Sequence, residues 1–104
     1  MKIALFSHEQ ELRIGLIYNN SLIDVLGAYK EILIDKGYSR EEAEDTIDTL
    51  MIFPENIAIT WDILEEILKE IIDNIKISNR HTINIKENYC SVSLGFLTFI
   101  IFLT

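Results

Sequence analysis

The sequence predicts a small α+β domain, in which an antiparallel β-meander is covered by three helices and followed by an apolar C-terminal segment. Three observations support this fold class. Residues 1–24 contain three short runs of strand-forming residues separated by polar turns. Residues 25–75 place apolar side chains at helical spacing, and residues 88–104 carry no charge. With 104 residues, of which 49% are hydrophobic and 25% charged, the chain can bury a core of its own.

The opening residues alternate between apolar and polar in the way that half-buried strands do. The predicted strands are Lys2–Ser7, Arg13–Tyr18 and Ser21–Asp24. In the second strand Ile14, Leu16 and Tyr18 share one face, and the residues between them take the other. Residues 8–11 form a polar connection of hairpin length, and Asn19-Asn20 suits a two-residue turn because asparagine tolerates positive φ. Successive strands therefore pair antiparallel.

Two amphipathic helices are predicted next. The first covers Val25–Lys36, with Asp24 as its N-cap and Gly37 just after its end, where a positive φ favours glycine. The second begins after Ser39, which forms a capping-box pattern with Glu42, and it ends before the single proline. Its predicted core stripe is Ala43, Ile47, Leu50 and Met51.

The third helix has the broadest apolar stripe of the chain. Its N-cap is Thr60 or Asp62, and Asp62 with Glu65 spells a second capping box. The stripe consists of Leu64, Ile67, Leu68, Ile71, Ile72 and Ile75. Glu65 and Lys69 are spaced for a favourable ion pair. The stripe is expected to pack on the sheet, although its width also suits a seam between two copies.

Two further segments are assigned to the core and the sheet. Phe53, Ile57, Ile59 and Trp61 are predicted to cover an open edge of the core between the second and third helices. The alternation over Thr82–Ile85 predicts a fourth strand that joins the meander.

Charge and cysteine content limit the class of partner. The net charge of −8 and the sequence pI of about 4.6 work against binding to a phosphate backbone, so nucleic acid is not an expected partner. A lone cysteine, Cys90, cannot form an intramolecular disulfide, which fits a reducing compartment. Charges interrupt the N-terminal apolar run where a signal peptide would need it unbroken. A cytoplasmic location is expected.

Residues able to carry chemistry are few. Glu41, Asp45 and Asp48 share one face of the second predicted helix and are candidate cation ligands, but a solvated acidic face is the favoured interpretation. His8 and His81 are both expected to be exposed. The sequence contains no glycine-rich phosphate loop, no His–Cys cluster and no Gly-x-Ser-x-Gly motif. It therefore assigns no catalytic, cofactor-binding or metal-binding residue.

The apolar tail has several interpretations. Residues Val92–Thr104 are shorter than the ~17–20 residues that a membrane span requires, so a membrane partner is not expected. Phe99–Phe102 is strongly strand-forming and would suit a buried or exchanged terminal strand. Two alternatives stay open for the tail: a membrane anchor at the chain end, and the product of a truncation or a frame shift. The predicted division is therefore an α+β domain over residues 1–87 and an uncharged tail over 88–104.

The opening also resembles a known family. Met1–Phe6 (MKIALF), Arg13–Ile17 (RIGLI) and Leu22–Asp24 (LID), with Asp24–Tyr29 (DVLGAY) leading into a helix, are similar to the N-terminal domain of the fumarylacetoacetate hydrolase family. The likeness covers residues 1–76 as an order of elements. In that family a proline-bearing loop lies between two helices, as the single proline does here.

The resemblance ends between Ile77 and Tyr89. Complete family members continue through a proline-containing strand into a catalytic domain that opens near a Gly-x-Asn-Tyr motif. Here Asn88 precedes the tyrosine, but Lys86 stands at the place of the glycine and no proline comes before it.

The resemblance implies an accessory role. The family's catalytic domain binds Mg²⁺ or another divalent cation through a Glu-x-Glu pair and a later Asp, and it cleaves acylpyruvate-like substrates or isomerises or decarboxylates related oxo-acids. Residues 9–11 and 42–44 spell Glu-x-Glu but lack the family's surroundings, so no metal or cofactor is expected in this chain and the isolated chain is expected to be inactive. The expected partner is a catalytic domain of the same family or a second copy. Two different roles stay open: a free-standing dimerising module and a small membrane-tethered protein.

Overall fold

The computed structural model describes residues 2–8, 11–19, 21–78, 80, 82–83, 89–94 and 97–102. Its strands are β1 (Lys2–His8), β2 (Glu11–Tyr18), β3 (Ser21–Asp24), β4 (Thr82–Ile83), β5 (Tyr89–Leu94) and β6 (Leu97–Phe102). Its helices are α1 (Val25–Asp35), α2 (Arg40–Leu50), α3 (Trp61–Asp73) and α4 (Ile75–Ser78), with a 3₁₀ turn at Pro54–Asn56. The predicted α+β class is confirmed, and the short α4 is added to the three expected helices.

Within the described residues the strands form one sheet in the order β4-β3-β2-β1-β6-β5. β1, β2 and β3 pair antiparallel, as the meander prediction requires. The ladder between β1 and β2 continues to the pair His8–Glu11, so these two residues belong to strands and the predicted turn was too long. β4 pairs with β3 through Thr82 and Ile83, which confirms the fourth strand there; residues 84 and 85 of that prediction lie outside the described residues.

The C-terminal strands join the same sheet. β5 and β6 pair antiparallel, and β6 runs parallel to β1 from Ile3–Phe99 to Phe6–Phe102. The backbone of the tail thus matches the interpretation as a terminal strand. No helix in the described parts of the chain has the length and apolar character to cross a membrane. The boundary between residues 87 and 88, and the origin of the tail by truncation or a frame shift, stay predictions.

One face of the meander carries the main core. Ile14, Leu16 and Ile23 are buried on this face, with Tyr18 half-buried against them, so the alternation predicted for β2 is confirmed. The helices contribute Val25, Ala28, Ile32, Leu64, Ile67, Leu68 and Ile71. Because complete burial of such an aliphatic side chain is worth about 1.5–3 kcal/mol, this layer holds α1 and α3 on the sheet.

The opposite face of the meander has a smaller apolar cluster. It consists of Ala4, Phe6 and Leu22, with Ile17 packed against them, and it includes no helical residue among those described. Gly15 lies at its centre. A Cβ atom there would be 2.5 Å from Leu22 Cδ1 and 3.1 Å from Phe6 Cδ1. Glycine is therefore the residue that lets the side chains of β1 and β3 approach each other across β2.

The first two helices show which of the predicted caps form. α1 ends one residue earlier than predicted, and Gly37 has the expected positive φ of 109°. Asp24 occupies the N-cap position of α1, but its side chain makes no cap hydrogen bond and binds Arg13 instead. The capping box of α2 is confirmed: Ser39 Oγ accepts from the Glu42 N–H, and Glu42 Oε1 accepts from the Ser39 N–H, each at 3.1 Å.

The connection after α2 contradicts part of the predicted core. Met51 adopts a left-handed conformation with φ 52° and is 59% exposed, although the helical spacing assigned it to the core. Phe53 and Ile59 are 43% and 88% exposed, so they do not cover the core edge as predicted. Ile57 is buried and Trp61 is half-buried. The Met51 prediction failed because the left-handed residue ends the helical period on which it relied.

Helix α3 begins without a side-chain cap. The hydroxyl of Thr60, the N-cap residue, donates to the carbonyl oxygen of Asn56 at 3.0 Å, and the predicted Asp62 box does not form. Lys69 Nζ is 3.5 Å from Glu65 Oε1, so the ion pair that their spacing predicted is confirmed. Packing of the apolar stripe on the sheet therefore fixes this helix, and its use as core is confirmed.

Candidate functional site

A cleft of about 420 Å³ opens at one end of the meander. It lies between the start of β2, the end of β3, the first half of α1, the second half of α2 and the segment 52–54. Its lining residues are Glu11, Leu12, Arg13, Ile14, Asp24, Leu26, Gly27, Lys30, Glu44, Ile47, Asp48, Ile52, Phe53 and Pro54. The volume falls within the ~300–1,000 Å³ range of ligand pockets.

The apolar lining is arranged in two levels. Ile14 and Ile52 are buried and form the floor, together with the partly buried Leu26 and Ile47. Leu12 and Phe53 line the same cleft but are about half exposed, so they form an apolar rim. An exposed aromatic beside a concave apolar surface is typical of a contact site for another molecule.

A partly buried ion pair lies at the sheet side of the cleft. Arg13 Nη2 is 2.8 Å from Asp24 Oδ2, and Arg13 Nη1 is 3.3 Å from Glu11 Oε2. The register explains the contact between Arg13 and Asp24. Asp24 on β3 pairs with Gly15 on β2, and Arg13 precedes Gly15 by two residues, so its side chain is on the same face of the sheet as that of Asp24. Partial burial lowers the pKa of Arg13, but the hydrogen bonds and charges of Asp24 and Glu11 outweigh it, and the net pKa is raised.

The pair is incompletely satisfied. Arg13 Nε and Asp24 Oδ1 are shielded from solvent and have no hydrogen-bond partner among the described residues. A shielded polar atom without a partner costs about 1–3 kcal/mol. The pair therefore adds less to stability than its 2.8 Å contact would indicate, and its clearer effect is to place charge at the wall of the cleft.

A second ion pair closes the helix side. Lys30 Nζ on α1 is 2.8 Å from Glu44 Oε1 on α2. The hydrogen bond from Lys30, followed by its charge, lowers the pKa of Glu44. Lys30 is thus neutralised inside the cleft and joins the two helices that border it.

The acidic face predicted on α2 is exposed. Glu41, Asp45 and Asp48 are all solvent-accessible, and only Asp48 lines the cleft. Within the described residues no three His, Cys, Asp or Glu side chains are grouped to hold a metal ion. His81 and the side chain of His8 lie outside the described residues, so their expected exposure stays a prediction.

The Glu-x-Glu sequence at 42–44 is already engaged. Glu42 accepts from the Ser39 N–H, which lowers the pKa of Glu42, and Glu44 binds Lys30. The other Glu-x-Glu sequence includes Glu11, which binds Arg13, while residues 9 and 10 are outside the described residues. The Glu-x-Glu carboxylates that the structure describes therefore contact protein groups and do not converge on a cation site.

A separate polar cluster joins α1 to α3. Lys36 Nζ is 2.8 Å from Glu70 Oε1, and this hydrogen bond raises the pKa of Lys36. Partial burial, with the charge of Glu70, raises the pKa of Tyr29. The cluster has no lining residue in common with the cleft and is best understood as a helix–helix contact.

Sequence reasoning missed the cleft because its residues come from four separate segments. One signal was present. The Asn19-Asn20 sequence predicts a two-residue turn, and the β2–β3 register that such a turn sets brings Arg13 next to Asp24. No comparable signal predicts that Lys30 meets Glu44, since that contact depends on how α1 packs against α2.

Comparisons with known proteins give no family assignment. A scan against protein-family models, a search of curated proteins and a search of solved structures each gave no match. Function must therefore be inferred from the cleft, from the exposed apolar side chains and from the resemblance of the opening residues.

Proposed function

We propose that this chain is an accessory N-terminal domain of a cytoplasmic enzyme of the fumarylacetoacetate hydrolase family. In this role it packs beside a catalytic domain and helps border the substrate entrance or a contact between subunits. The chain by itself has no reaction to perform.

The order of elements supports the proposal. Three antiparallel strands are followed by α1, α2, a turn that contains Pro54 and then α3, which is the order that the resemblance implies. The strands that carry the resemblance, β1 to β3, form the scaffold on which the helices pack.

The observation that carries the proposal is the exposure of large apolar side chains. Leu12, Met51, Phe53 and Ile59 are between 43% and 88% exposed, and three of them come from the short connection after α2. Single exposed apolar residues are ordinary, but this connection holds three of them within nine positions. Contact with a larger body would remove them from water.

The residues present do not fit the family's divalent cation. Glu42 and Glu44 are the described Glu-x-Glu pair, and each is bound to a protein group on an exposed helix. The cation that chelates the substrate's two carbonyl oxygens in the family would have to be held by another domain. No chemical step is assigned to this chain.

The rival role is a free-standing module that dimerises through α3 or through the apolar tail, and its α3 form is less well supported. That form needs the apolar stripe of α3 on the surface, but Leu64, Ile67, Leu68 and Ile71 are buried against the chain's own sheet and α1. A seam through α3 would require the core to open.

The first test is to read the DNA that follows the codon for Thr104 in all three frames. The expected result is a continuation, in some frame, with a Glu-x-Glu pair and a later Asp. If no frame encodes such a continuation, the assignment to this enzyme family is wrong. In parallel, the purified chain with Mg²⁺ should leave oxaloacetate and an acylpyruvate unchanged, and turnover of either would contradict the inactive role.

A further inference from the structure

The apolar rim of the cleft favours an occupant with apolar side chains. The floor of the cleft, Ile14 and Ile52, is buried, and its rim, Leu12 and Phe53, remains about half exposed. Binding of an apolar group here would remove the exposed parts of Leu12 and Phe53 from water, at about 25 cal/mol per Å² of apolar surface. A purely polar ligand would leave that surface uncovered.

The charges of the cleft favour a cationic occupant. The described lining holds four carboxylates and two cations, namely Glu11, Asp24, Glu44 and Asp48 against Arg13 and Lys30. Both cations are bound to acids of the same cleft. Asp48 makes no ion pair among the described residues, and Glu41 and Asp45 extend the acidic surface along α2.

The same charges weigh against the other occupants. A second copy carries the same net charge of −8, so its approach is opposed by long-range repulsion. A nucleic acid is repelled for the same reason. A bare metal ion lacks the grouping of ligands that it needs within the described residues, and it would not cover the apolar rim.

We propose that this cleft binds a basic amphipathic peptide segment of another protein, with its apolar side chains against Leu12 and Phe53 at the rim and its Lys or Arg side chains beside Asp48. This is the helix-in-groove mode, in which apolar anchors repeat at i, i+3, i+4 and i+7. The inference does not rest on the enzyme family proposed above, but both proposals use the exposed side chains of Leu12 and Phe53.

The test uses the full chain labelled with ¹⁵N and, as probe, a synthetic peptide of about 14 residues containing only leucine and lysine at that helical spacing. The amide resonances of Leu12, Asp48 and Phe53 are expected to shift during the titration. A peptide of the same composition in scrambled order is the control, and it should bind about tenfold more weakly because its leucines no longer lie on one face.

Variants separate the cleft from the general acidity of the surface. Phe53→Ser is expected to weaken binding about tenfold or more, as removal of a central anchor does. Ile59→Ser, at a more exposed residue outside the lining, is its control and should have no effect. Leu12→Ser is a second substitution at the rim of the cleft. Circular dichroism spectra should show that each variant is folded.

The charge contribution has a matched pair of its own. Asp48→Asn should weaken binding about two- to fivefold, as for an exposed ion pair. Asp73→Asn, an exposed acid on α3 outside the cleft, should leave it unchanged.

Four results would overturn the proposal: no binding, equal binding of the scrambled peptide, equal losses in the two Asp→Asn variants, or resonance shifts away from the cleft. A fifth result would change the identity of the proposed occupant. If the same resonances move with protein concentration alone and sedimentation shows a dimer, a second copy fills the cleft.

Discussion

Helices α2 and α3 are of similar length, 11 and 13 residues, but different interactions hold them in place. α3 buries four large aliphatic side chains in the main core and has no side-chain cap. α2 buries only Ala43 and carries a complete capping box, with acids in its first turn that suit the helix dipole. Tertiary packing therefore fixes α3, whereas local hydrogen bonds and the Lys30–Glu44 pair fix α2.

The difference matters because α2 forms a wall of the cleft. A helix with few buried apolar contacts opens locally at a lower free energy than one that belongs to the core. The wall can thus adjust to an occupant while α1, α3 and the sheet stay in place. Three substitutions or conditions test this contrast, from the largest expected effect to the smallest.

Leu68→Ala should remove the feature that fixes α3. Leu68 is fully buried, so the lost contacts and the resulting cavity are expected to lower the free energy of unfolding by about 2–5 kcal/mol. Urea denaturation measures the change. The control, Ile63→Ala on the same helix, removes a side chain that is 43% exposed and should cost about 1 kcal/mol or less. Equal losses in the two variants would contradict a core role for α3.

Ser39→Ala should remove the local support of α2. The variant loses the hydroxyl that accepts from the Glu42 N–H, and the expected cost is about 0.5–2 kcal/mol. Amide hydrogen exchange should speed up mainly in α2, because that helix buries only the side chain of Ala43. Ser39→Asp keeps an acceptor at the cap and is expected to stay close to the parent. Faster exchange throughout the core would show that α2 is part of the global folding unit.

Lowering the pH is expected to destabilise α2 at a higher pH than it destabilises the core, and the effect should be small. The hydrogen bond from Lys30 lowers the pKa of Glu44, and those with Ser39 lower the pKa of Glu42, both from an ordinary value of 4.5. A carboxyl with a lowered pKa in the folded state contributes stability that is present above pH 4.5 and is lost as the pH falls through the folded-state pKa. The urea concentration at the unfolding midpoint should therefore decrease as the pH is lowered below 4.5. The decrease should be less steep in the Glu44→Gln variant. An identical pH profile in that variant would show that the pair has no stabilising effect.

The sequence predicted well the features that depend on neighbouring residues. Alternation placed Ile14 and Leu16 on the core face, and the Ser39–Glu42 spacing identified the capping box, because each needs only a local backbone conformation. Met51 was wrongly assigned to the core stripe of the second helix. Helical periodicity holds only while the helix continues, and a left-handed residue ends it without a glycine to announce the change.

The cleft was beyond sequence reasoning for a different reason. It depends on distances between segments, such as the contact of Lys30 with Glu44, which the order of residues does not encode directly. Asp24 illustrates the point: its position before a helix predicted a cap, but Arg13 on the neighbouring strand competes for the same carboxylate and binds it. A tertiary ion pair replaced the local hydrogen bond.

The parallel pairing of β1 with β6 has a consequence for how the chain folds. Ile3 finds its partner, Phe99, only after the helices have been synthesised, since parallel neighbours need a long crossover. Contacts so distant in sequence close slowly, and until then one edge of β1 presents unpaired backbone groups. During synthesis, β1 therefore stays incompletely paired until β6 has been made, and that open edge is where premature association between chains would begin.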